Sequence, residues 1–250
     1  RVLTNINGSE RAKEIITEAK SLFVKVKNES NDVELAKQAL HLEGLCLITL
    51  GSPGEVIALL DDAAPMILSS NTLLAKAYQM IGNVDQAKKI LQVEIYQYFL
   101  GLLELLHSYL HLFFDDKDTF DEISKRYLGL ADLFNVEDLH PTILLPFYLT
   151  AAQGHLVNHN EEEALACLES YCRIATGDIY PLKLKGDDFF TSIDEWFETF
   201  AIGTNLPRDE KVVKQSMLDA IVSNPIYKVL EDNVQFRNIV RKLKLINREE

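Results

Sequence analysis

Glu104, His107 and His111 fall at i, i+3 and i+7, so one face of a helix would present a carboxylate and two imidazoles. These are donors that a transition metal accepts. A second Glu-x-x-His, Glu137 to His140, resembles the doubled motif by which helical bundles hold a pair of metal ions. His140 is followed by Pro141, however, and a proline ring pushes the residue before it out of helical geometry. The doubled motif is therefore broken, and the glutamates such a centre takes from two further helices are not identifiable. A polar stripe on a groove-lining helix is expected, with no metal and no cofactor.

Other chemistry is equally sparse. The cysteines Cys46, Cys167 and Cys172 fit no zinc spacing and are expected as buried apolar thiols in a reducing, cytoplasmic setting. Gly51-Ser52-Pro53-Gly54 lacks the lysine of a phosphate-binding loop, and no serine stands in Gly-x-Ser-x-Gly context. Asp187 or Asp188 is expected to cap a helix bearing Phe189, Phe190, Ile193, Trp196, Phe197 and Phe200, with the aromatics in a core. The run Glu161-Glu162-Glu163 suits the first turn of a helix, where negative charge meets the positive end of the dipole. The chain is not expected to be an enzyme.

What positions these residues is helical throughout. Among 250 residues, 47% are hydrophobic and 25% charged, which suits a folded core, while 11 Gly and 7 Pro supply too few turns for a many-stranded β fold. Lys and Arg number 25 against 38 Asp and Glu, and the net charge of −13 argues against a nucleic-acid surface on this chain. No apolar run approaches the roughly 20 residues of a membrane span. Apolar residues recur at helical spacing from Ala12 to Leu245, and no period-two strand stands out. Ser9 is expected to cap the first helix, Gly51 to end the second, and a helix to run over Pro65 to Ile81. Val84 to Phe114 is either one long helix or two joined near Gly101; Glu137 to Pro141 is expected as a connector.

The helices also repeat. In tetratricopeptide units a small residue on the first helix meets another twelve positions later, across a Gly or Asn turn. Gly44 and Val56, Ala75 and Ala87, Ala152 and Ala164, and more weakly Ser108 and Phe120, stand at that spacing. One helix pair cannot bury its apolar face alone, so pairs stack and curve. The expected fold is an all-α, right-handed superhelical array: one helical-repeat domain over residues 1–250, with capping helices over 187–250. First helices line the concave face of such arrays. In that frame Thr49, Lys76, Gln79, Tyr109, Phe113 and Gln153 are the candidate ligand-binding residues, with Leu45, Ile48, Met80, Leu112, Leu156 and Val157 beside them. This mixture of amides, aromatics and aliphatics suits a short peptide or a protein partner.

The stretches GNVDQAKKILQVEIYQYFLGLLELL, LFNVEDLHPTILLPFYL and LKLKGDDFF resemble the C-terminal region of Gram-positive (Firmicutes) transcriptional regulators. Those proteins place a Cro/cI-type helix-turn-helix ahead of tetratricopeptide-like repeats, as in the peptide-responsive Rap, PlcR and Rgg group. The resemblance spans about Asp32 to Leu245. It implies a ligand-sensing domain that homodimerises through its repeats, and a DNA-binding domain upstream of Arg1. In that group groove asparagines hold the peptide; here the groove amides are Gln79 and Gln153. A tetratricopeptide adaptor without a DNA-binding partner domain is the alternative.

Overall fold

The structure is a computed structural model, and it describes residues 10–60, 70–177, 179, 184–199 and 210–246. The chain forms two compact units, Arg1–Leu68 and Ser69–Glu250. Among the described residues every regular element is helical and there is no strand. The fold is all-α, an array of helices packed in neighbouring pairs. The expected caps at Ser9 and the helix start at Pro65 lie outside the described residues, as does Phe200.

In the first unit α1 (Glu10–Glu29) packs along α2 (Val33–Thr49), and α2 meets α3 (Pro53–Leu60). Ala12 and Ile16 of α1 and Ala39, Cys46 and Leu47 of α2 are buried. Lys27 reaches from α1 to Glu43 of α2 at 2.6 Å. Both side chains are largely removed from water, so removing either partner strands a charge.

The second unit holds α4 (Ser70–Met80), α5 (Val84–Leu110), α6 (Lys117–Leu133), α7 (Val136–Leu139), α8 (Leu144–Val157), α9 (Glu161–Ala175), α10 (Asp194–Glu198), α11 (Glu210–Val222) and α12 (Val234–Leu245). Helix starts are fixed by side-chain oxygens: Asp32, Asn83, Asp116, Asn160 and Asn233 each accept backbone N–H bonds that the first turn cannot satisfy internally. At two helix ends the chain turns through glycine with φ of 77° (Gly51) and 83° (Gly82), a region closed to most side chains.

The pairs α4–α5 and α8–α9 form as the small-residue spacing predicts, with Ala75, Ala87, Ala152 and Ala164 all buried. Gly44 lets Leu60 of α3 come close, 3.4 Å from where a Cβ would stand. The fourth pair differs. Ser108 is exposed, and Phe120 is approached instead by Gly154 of α8, where a Cβ would lie 2.2 Å from the ring. α5 runs unbroken past Gly101 for 27 residues. The Glu137–Pro141 connector is partly helical: α7 fills Val136–Leu139, and His140 leaves helical geometry at φ −155°, as the following proline requires. The helix expected after Asp187 is shorter. Asp187 accepts the N–H groups of Phe189 and Phe190 but closes a turn, and α10 begins only at Asp194. The aromatic run folds that turn inward: Phe190 and Ile193 are buried around Tyr96, with Trp196 and Phe197 edge-on to it, while Phe189 points outward.

The main core gathers between α5, α6, α8, α9, α11 and α12. Three buried tyrosines pin its backbone by donating to carbonyls: Tyr127 to Ile143 at 3.2 Å, Tyr171 to Met217 at 2.9 Å and Tyr227 to Leu149 at 3.1 Å. Tyr127 also stacks on Phe147, ring centroids 3.8 Å apart.

Gly154→Ala should therefore destabilise by about 1–3 kcal/mol in urea titrations, as overpacking does, although alanine is the better helix former. Gly101→Ala, with nothing within 4 Å of the added Cβ, should stabilise by about 0.5–1 kcal/mol. Adding Phe120→Leu to Gly154→Ala should return part of the loss.

Candidate functional site

The six expected ligand residues fall in both units. Thr49, at the end of α2 in the first unit, donates its hydroxyl to the Leu45 carbonyl one turn earlier. Lys76 and Gln79 sit one turn apart on exposed positions of α4. Tyr109 and Phe113, at the end of α5 and in the 3-10 turn His111–Phe113, touch edge to face with centroids 4.7 Å apart. Gln153 lies on α8, half-buried, near the Tyr227 hydroxyl, which donates to the Leu149 carbonyl. Burial pushes that phenol up to about 12, so it stays neutral and available as donor. Asn71, another amide near the expected groove, donates to the buried carboxylate of Glu94 and ties α4 to α5.

This placement separates the two glutamines. Gln153→Ala should cost about 1 kcal/mol in thermal or urea unfolding, because it removes a half-buried amide packed near the buried Tyr227 hydroxyl. Gln79→Ala, on an exposed face, should stay within about 0.5 kcal/mol of the parent. Equal effects from the two would remove the structural role given to Gln153.

The two histidines of the Glu104, His107, His111 stripe converge on one hydroxyl. Thr150 of α8 lies 2.9 Å from Nε2 of His107 and 3.2 Å from Nε2 of His111. A threonine hydroxyl donates once and accepts besides, so it joins the two imidazoles when one offers a lone pair and the other an N–H. Burial holds the His107 pKa below its ordinary 6.5, the neighbouring His111 adds to that, and Glu104 opposes it. Among the described residues no three His, Cys, Asp or Glu side chains gather as metal ligands. The cysteine thiols are all free and all pushed up by burial, Cys167 to about 12, which leaves them protonated and poor nucleophiles.

Burial likewise lowers His140, and it lowers His155 despite Asp121 at 3.9 Å. The sign of the pH dependence follows. An unfolded chain takes up protons near pH 6.5 while the folded chain still excludes them from these three rings, so stability is full above that pH and lost below it. The melting temperature should fall between pH 7.5 and 5.5, with a slope approaching about 1.4 kcal/mol per pH unit for each such histidine. Replacing all three by Gln should flatten the slope in the same calorimetric scan.

A row of exposed apolar side chains belongs to α5. One side of this helix, with Tyr96, Phe99, Leu103 and Leu110, is buried in the unit, and Ala87 near its start is buried in the α4–α5 pair. The other side carries Leu91, Ile95, Tyr98, Leu102, Leu105, Tyr109 and, in the turn beyond, Leu112, every one of them exposed. Successive spacings are four, three, four, three, four and three. That is the repeat of about 3.5 residues by which one helix lays an apolar seam on another. At about 1.5 Å per residue the stripe is about 32 Å long. Leu105 and Leu112 are 69% and 74% exposed, which is a large apolar face to leave in water. Of the expected ligand residues only Tyr109 belongs to it. The spacing was visible in the sequence; a 27-residue helix with two apolar stripes reads simply as buried until its packing partners are known.

No helix among the described residues is long and apolar enough to cross a membrane. Comparison with protein-family models, with curated proteins and with solved structures gives no match.

Proposed function

We propose that this chain is the ligand-sensing and self-associating helical-repeat domain of a transcriptional regulator, and that a second copy lies along α5. The exposed seam from Leu91 to Leu112 carries the reading. Leu91, Leu105 and Leu112 share one seam position with Tyr98, and Ile95 and Leu102 share the other with Tyr109; of these, isoleucine set against leucine is the pairing that suits two helices. Gly101, beside the seam and open to solvent, lets a partner backbone come close. The regulatory setting is supported by the sequence resemblance alone, and DNA contacts are assigned to a domain outside this chain. In keeping with that setting, a short peptide or protein partner would engage Lys76 and Gln79 of α4 and the Tyr109–Phe113 pair. Tyr109 belongs to both surfaces, so a ligand seated on it favours one association state over the other, and this differential affinity is what sensing requires.

Light scattering should give twice the 28.4 kDa chain mass. Leu102→Glu with Leu105→Glu should give the single-chain mass with unchanged helical circular dichroism, because both side chains are exposed within one copy. A parent chain that stays monomeric at high concentration, or a double variant that still dimerises, would overturn the assignment.

A further inference from the structure

The cleft between α11 and α12 holds a second site, separate from the α5 seam. Its floor is apolar, with the buried side chains of Ile221, Tyr227 and Phe236. Its rim is cationic. Arg237, Arg241 and Lys244 recur at i, i+4 and i+7 on one face of α12, and Lys228 from the 3-10 turn Pro225–Leu230 lines the same cavity. One carboxylate, Glu231, stands among them. None of the four cations makes an ion pair or a side-chain hydrogen bond with a described residue. The cavity measures about 460 Å³, within the range of small-ligand sites.

Charge is segregated here. The chain carries a net charge of −13, and surplus carboxylate is available elsewhere to neutralise surface lysines and arginines. Four cations with no partner among the described residues, set around one apolar hollow, call for an anion that arrives from outside. An inorganic anion would satisfy the rim but leave the floor wet. A nucleic acid brings charge, yet Tyr227 and Phe236 are too buried to offer a ring face for a base to stack on, and an extended polyanion meets the acidic remainder of the chain. We propose that the cleft binds a short acidic peptide. An aliphatic or aromatic side chain of the peptide fills the floor, and the carboxylates flanking it pair with Arg237, Arg241, Lys244 and Lys228. Guanidinium groups suit this task because they take carboxylates two bonds at a time.

Titration calorimetry on the whole chain tests this with three probes: the capped peptide Glu-Asp-Leu-Asp-Glu, the same peptide with Ser in place of Leu, and a short DNA duplex. The leucine peptide should bind, weaken as salt rises, and lose about tenfold or more when Leu becomes Ser, the worth of one buried aliphatic side chain. Arg237→Gln with Arg241→Gln should weaken it about tenfold or more with helicity unchanged, and Lys228→Gln, on a different element, should weaken it independently. Binding should survive Leu102→Glu with Leu105→Glu, which alters only the seam. Equal binding of the serine peptide, tighter binding of the duplex, indifference to the arginine and lysine variants, loss of binding in the seam variant, or no peptide binding at all would each overturn the proposal.

Discussion

The contact between Phe120 and Gly154 sets the geometry of the second unit. α8 carries no Asp, Glu, Lys or Arg, and apolar residues surround it. A helix of that kind is stable only when covered on every side. α5, α9 and the Pro225–Leu230 turn each contact it, and α6 reaches it through Phe120 and Tyr127. The ring of Phe120 can lie on α8 because residue 154 has no side chain. The polar groups that α8 brings with it are then answered in place. Thr150 meets two imidazoles, Gln153 lies near the Tyr227 hydroxyl, and Asn158 donates to the Phe114 carbonyl at the end of the α5 turn.

Covering α8 has a consequence for α5. α5 belongs to the α4–α5 pair at its start, through Ala87, and lies on α8 at its end, through His107 and the turn that follows. One helix spans both tasks on different sides: Ala87 lies on the side that continues through Leu91, and His107 on the side of Leu103 and Leu110. Further along the seam side, past the α4 contact, Leu102, Leu105 and Leu112 are left exposed among the described residues. The seam thus follows from how the array is joined, and it is the face that the proposed second copy would use.

Much of the architecture was legible in the residues. Helical period and the glycine at Gly51 mark elements that the structure places within a few residues of expectation. The buried alanine pairs of α4–α5 and α8–α9 were legible for the same reason: small residues at fixed spacing leave few other ways to pack two helices. Ser108 was not, because its small size mimics the repeat while Gly154 makes the close contact that matters. The turn at Asp187 to Ile193 was missed because a carboxylate that accepts two backbone N–H groups looks the same at a turn as at a helix start. For the ligand residues the difficulty is chemical. An amide such as Gln153 or Asn71 serves a buried hydroxyl or carboxylate as readily as a bound peptide, and only coordinates show which partner lies within reach.

Net charge misleads in a similar way. A balance of −13 describes the chain as an acidic object, yet α12 carries Arg237, Arg241, Lys242 and Lys244 and no carboxylate at all. Cations in the last turn of a helix favour the negative end of its dipole, which accounts for Lys242 and Lys244. It does not account for Arg237, one turn in from the start, nor for Lys228 on a different element. Those two share with Arg241 and Lys244 only the cavity they line. Dipole effects fade within a turn and cannot gather charge across elements, so the convergence is a property of the cleft and not of the helix.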